Sequence, residues 1–174
     1  MNNVSGSTHT QDKKQISLIR QFLILAVIGI SLFLIQREFS IWQGKRAVSN
    51  SGMPSLTINK ALTLAEIDNK PLMVNFSAYW CGYCRAFERG SLADLDVQTA
   101  IQQRFHYVRL EQTKPEDRKW FDHYKIFGFP TVLIVSPSGE IIDQIVALRE
   151  PNEFLNQLRQ QDKVLPPSSS YKNI

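Results

Sequence analysis

One uninterrupted apolar run, Phe22 to Ile35, divides this chain before any other feature is considered. Its fourteen residues rise about 21 Å as a helix, short of the roughly 30 Å hydrocarbon core of a bilayer. Counting from Ile16 gives twenty residues, and Arg20 can extend its charged end to the interface. Trp42 follows at a position where interfacial aromatics collect. Three readings compete. A cleaved signal peptide accounts for Lys13 and Lys14 ahead of a short apolar core, but Gln36-Arg37-Glu38-Phe39 offers no small-residue cleavage site. A buried core helix needs a polar face, and the run is apolar all round. An uncleaved anchor over 16–42 is the preferred expectation. Basic residues flank both ends nearly equally, so charge does not orient the segment.

The rest of the chain reads as three further parts. Residues 1–15 are polar and read as disordered, as does the Pro/Ser-rich tail 162–174. Residues 43–55 read as a linker. Residues 56–161 switch between helical and strand periods, which predicts an α/β domain. Helices are expected over 57–69, from Cys81 through Glu88, over 96–104 with Asp96 as N-cap, over 116–124 and over 152–160. Strands are expected over 71–77, 106–110, 131–135 and 141–147, the last two joined by a turn at Pro137-Ser138-Gly139-Glu140. With 43% apolar and 21% charged residues, such a domain can bury a core without covalent staples. The net charge of +4 is spread over the chain without a basic block, which argues against a nucleic-acid partner.

The only two cysteines are Cys81 and Cys84, in Cys81-Gly82-Tyr83-Cys84. A disulfide closing so short a loop restricts the unfolded chain very little, so the pair is poorly placed to staple a fold. It lies where a strand feeds a helix. At that helix N-terminus the free backbone N–H groups and the dipole stabilise a thiolate at Cys81. Cys84, one turn on, can then resolve a mixed disulfide. A structural zinc site needs about four ligands, and with only His9, His106 and His123 a complete set is hard to assemble. A copper-holding dithiol module stays open as a non-enzymatic alternative. Trp120, Phe121 and Tyr124 read as core at helical spacing, and Glu88 and Arg89 as solvated.

The run Val74-Asn75-Phe76-Ser77-Ala78-Tyr79-Trp80-Cys81-Gly82-Tyr83-Cys84 resembles the active-site segment of the thioredoxin superfamily, and Gly128-Phe129-Pro130-Thr131 resembles its cis-proline loop, 49 residues beyond Cys81. The resemblance implies a thioredoxin-like fold, a central mixed β-sheet flanked by helices, here preceded by one transmembrane helix. It implies catalysis by Cys81 and Cys84, with Trp80, Gly82, Tyr83, Phe129 and Pro130 bordering the substrate, Pro130 in the cis form, and no cofactor beyond the dithiol. Within the superfamily, Phe87 to Gln98 resembles the segment after the dithiol in the C-terminal domain of the DsbD family, whose members pass electrons across the bacterial inner membrane. That implies a singly anchored, stand-alone relative facing the periplasm, with protein thiol substrates and an upstream thiol donor. Three positions depart from the pattern. Asn75 stands where thioredoxins carry a buried Asp, and an amide cannot take the proton of the resolving thiol. Gly82-Tyr83 is similar to the dipeptide of periplasmic disulfide isomerases, which leaves isomerase or oxidase work as an alternative to reduction. Phe129 is bulkier than the residue usual before the cis-proline.

Overall fold

The computed structural model describes residues 8–161, with side chains from residue 18 onward. The expected tail at 162–174 and the first seven residues lie outside this range. The chain forms two units, Met1–Phe39 and Ser40–Ile174. The first consists of helix α1 (Thr8–Ser51) up to Phe39. The expectation of disorder over 1–15 therefore fails from Thr8 onward, because a helix once nucleated in the apolar run extends into flanking residues at low cost. Every side chain from Leu18 to Phe39 is exposed, with no buried face, and the helix is long and apolar enough to cross a membrane.

The second unit starts with the last turns of α1. The expected linker is helical through Ser51 because Gly44, Ala47 and Ser51 recur at helical spacing and are all buried. Small residues there read as loop-like in sequence, yet they permit close approach. A Cβ on Gly44 would run into the backbone of Tyr79. The helix end is closed by Gln98, whose Nε2 donates to the Ser51 carbonyl at 2.8 Å, and by Gly52 at φ +69°.

Four strands follow the expected order: β1 (Leu72–Ser77), β2 (His106–Glu111), β3 (Thr131–Val135) and β4 (Ile141–Ile145). They form one mixed sheet in the order β2-β1-β3-β4, with β1 parallel to β2 and antiparallel to β3, and β3 antiparallel to β4. All six residues of β1 are buried, as a central strand covered on both faces requires. One face, through Met73, Val132 and Ile134, packs on α3 (Gly82–Arg89), α4 (Leu95–Arg104) and α6 (Pro151–Gln160) by way of Phe87, Ile101 and Phe154. The other, through Leu72, Val74 and Phe76, packs on α2 (Ile58–Asp68) and α5 (Pro115–His123) by way of Ala61 and Phe121. Burying each large side chain contributes roughly 1.5–3 kcal/mol. The N-cap of α4 is Asp94, not Asp96. Its carboxylate accepts from the N–H groups of Asp96 and Val97 at 3.0 Å each, which leaves Asp96 in the first turn. A 3-10 turn at Ser91–Ala93 links α3 to α4.

Candidate active site

The dithiol sits at the C-terminal end of β1, where the chain turns into α3. Cys81 is the N-cap of α3 and is bonded to Cys84 with their Cα atoms 5.3 Å apart. Its Sγ accepts the N–H of Cys84 at 3.1 Å, the hydrogen bond that a capping side chain makes and that stabilises negative charge on this sulfur once the disulfide is reduced. Cys81 keeps 6% of its surface exposed and Cys84 2%, so Cys81 is the more accessible sulfur. Ala78 and Phe129 wall the pair.

The cis-proline loop comes up beside it. The Phe129–Pro130 peptide is cis, and the Phe129 carbonyl oxygen lies 3.7 Å from Cys81 Sγ. Thr131 closes the loop by donating from Oγ1 to the Gly128 carbonyl at 2.9 Å. The bulky Phe129 finds a use as a strut: its ring meets Trp80 edge-on at 5.9 Å and Phe121 of the core at 5.7 Å. Trp80 is half exposed, Gly82 is open and Tyr83 is 82% exposed, and all three adjoin the cysteines in the chain. Phe127, 94% exposed on the same loop, was missed; its only signal was an aromatic on each side of Gly128.

Beneath α3 lies a buried polar column that sequence reading did not anticipate. Parallel pairing sets Met73 beside Tyr107, Asn75 beside Arg109 and Ser77 beside Glu111, so these residues share the α3 face of the sheet. Glu88 joins them from the helix. It is 2% exposed rather than solvated, and lies four residues beyond Cys84 on the same helical face. Arg109 donates from Nε to Glu88 at 2.8 Å, from Nη1 to Glu111 at 3.1 Å and from Nη2 to Ser77 Oγ at 3.0 Å. Burial pushes the Glu88 carboxyl above its ordinary range, although Arg109 pulls it down. For Arg109 burial acts to lower the guanidinium, and the two carboxylates outweigh it and raise it. Asn75 donates from Nδ2 to the Tyr107 hydroxyl at 3.0 Å, while its buried Oδ1 has no partner. Burial, with Glu88 nearby, drives the Tyr107 phenol far up, so it stays neutral.

Tyr79 bridges this column to the surface. Its ring lies under the Arg109 guanidinium at 4.9 Å and near Lys45 Nζ at 5.9 Å, and its N–H donates to Glu111 at 3.2 Å. It is pinned rather than free to stack on a substrate. His123, at the end of α5, packs against Trp120 and Tyr124. Among the described residues no group of three or more His, Cys, Asp or Glu side chains is arranged to hold a metal.

A family model described as a thioredoxin-like domain matches residues 58–162. The chain is similar to the thiol:disulfide interchange protein DsbD of Actinobacillus pleuropneumoniae serotype 5b (strain L20), 27% identical over 157 residues, covering 80% of this chain and 27% of that protein. It spans 27% and 25% of the length of the first two such relatives and 13–17% of others. The solution structure of a thioredoxin from Thermus thermophilus superposes with a TM-score of 0.55 at 28% identity, covering 62% of this chain and 85% of the other. A structure described as DsbH oxidoreductase shares the fold, with a TM-score of 0.59 at 16% identity over 65% of this chain and 86% of the other.

Proposed function

The chain belongs to the thioredoxin-like domain family, and from that premise we propose that it is a thiol–disulfide oxidoreductase, tethered to the bacterial inner membrane by one helix, that reduces disulfides of periplasmic proteins. The observation that carries this reading is the placement of Cys81 Sγ: it caps α3, and it faces the backbone carbonyl beside cis-Pro130. In the reduced protein the Cys81 thiolate attacks a substrate disulfide, forms a mixed disulfide and expels one substrate thiolate, which takes up a proton. Cys84 then gives its proton to water and attacks the Cys81 sulfur, closing the Cys81–Cys84 bond and releasing the second substrate thiolate, which is protonated in turn. Two electrons and two protons pass to the substrate. An upstream dithiol restores the pair by the same exchange in reverse. Trp80, Tyr83 and Phe129 supply apolar contact, and Gly82 and Pro130 leave backbone open to an extended peptide.

The direction of exchange is supported by the DsbD likeness.

The tether is supported by the exposed apolar surface of residues 18–35 and by the DsbD relatives. Alkaline phosphatase fused after Ile174 is expected to be active in cells, since that enzyme matures only outside the cytoplasm. An inactive phosphatase, with a cytoplasmic reporter active at the same position, contradicts the proposed side.

A further inference from the structure

We propose that the flank of the dithiol lined by Arg85, Arg89 and Arg149 is a docking groove for an acidic segment of the partner protein, so that substrates with Asp or Glu near the exchanging cysteine are preferred. This rests on the oxidoreductase reading above. The groove has a volume of about 410 Å3 and begins at Gly82, inside the dithiol motif itself. Its three guanidiniums face a single lining carboxylate, Glu150. That carboxylate lies 4.0 Å from Arg149, with both side chains largely exposed, and such a pair neutralises little. Arg89 has no ion pair among the described residues.

The groove is also held in shape. Arg85 donates from Nη1 to the Trp80 carbonyl at 3.1 Å and to the Tyr79 carbonyl at 3.4 Å, which fixes it beside the active-site turn. The segment carrying Arg149 is seated against the end of α3. A Cβ on Gly90 would run into the Arg149 carbonyl, and Ser91 Oγ donates to the Leu148 carbonyl at 2.6 Å. Arg85 and Arg89 stand four apart on α3, a like-charge pairing that costs the helix stability unless an anion lies between them. Guanidiniums match carboxylates in paired hydrogen bonds, so the occupant with the best fit is an acidic peptide stretch.

The test uses the full chain in non-ionic detergent micelles, reduced beforehand. Its substrates are two disulfide-bonded peptides that differ only in Glu or Lys beside the cysteines, and a small neutral disulfide, hydroxyethyl disulfide. The Glu peptide is expected to react with a kcat/KM about tenfold higher than the Lys peptide at low salt, an advantage that shrinks as salt is added. The double variant R89E/R149E is expected to reverse the ratio. Equal rates for the two peptides, or a ratio the double variant leaves unchanged, overturn the inference while reduction of the neutral disulfide continues. Equal peptide rates together with arginine-dependent binding to phosphatidylglycerol-doped micelles assign the groove to a lipid surface, and the inference fails. Inability of the unaltered protein to reduce the neutral disulfide overturns the oxidoreductase reading itself, and the inference with it.

Discussion

Cys81→Ser is expected to reduce disulfide exchange to background, whereas Cys84→Ser is expected to attack substrate once and remain joined to it. The two outcomes follow from unequal positions. Cys81 is the more accessible sulfur and receives the Cys84 N–H at 3.1 Å, so it forms the attacking thiolate. Cys84 is 2% exposed and reaches a partner only through the sulfur of Cys81. Serine is itself a preferred N-cap, so Cys81→Ser keeps the start of α3 and its loss of activity is chemical rather than structural. Non-reducing electrophoresis followed by intact mass measurement checks both variants. A trapped complex with Cys81→Ser but not with Cys84→Ser contradicts the assigned order of attack.

Arg109→Met is expected to cost about 3–5 kcal/mol of stability, since it leaves buried carboxylates without their cation. Both Glu88 and Glu111 lose a guanidinium hydrogen bond, and the Tyr79 ring loses the cation above it. The deficit carries a pH signature. The Glu88 carboxyl is already raised by burial from its ordinary 4.5, and removing Arg109 takes away the larger part of what lowers it, leaving the Ser51 hydrogen bond. A carboxyl held above its unfolded value makes the folded form bind a proton the unfolded chain releases. The fold then loses stability as pH rises from 4.5 through the raised value. The Arg109→Met deficit is therefore smallest in acid and grows toward neutral pH. Urea unfolding of residues 40–174 at several pH values measures it. A deficit below about 1 kcal/mol, or one that does not change with pH, contradicts the role given to this arginine.

The parts legible in sequence were those carried by local pattern or by motif. The apolar run of β1, the Cys81–Cys84 pair and Gly128-Phe129-Pro130-Thr131 each announce themselves within a dozen residues, and the structure brings the last two together at Cys81 Sγ and the Phe129 carbonyl. The polar column was not legible. Tyr107, Arg109 and Glu111 alternate with apolar residues, and alternation says that two faces differ, not that the polar one is covered by a helix. Glu88 reads as solvated in sequence because a charged residue on a short helix normally is; only the pairing of β1 with β2 reveals the arginine beneath it. The end of α1 is hidden for the opposite reason. Gly44, Ala47 and Ser51 look like linker residues, yet all three are buried, and the missing side chain of Gly44 is what lets the helix lie against Tyr79.

The direction of exchange is read most directly as the equilibrium reduction potential of the Cys81–Cys84 pair in the full chain, measured against glutathione buffers. A potential near that of thioredoxin, about −270 mV, is the result expected of a protein that donates electrons to its partners. A potential near that of protein disulfide isomerase, about −180 mV, or higher, contradicts the reductase reading and gives Gly82-Tyr83 the deciding weight, for isomerase or oxidase work.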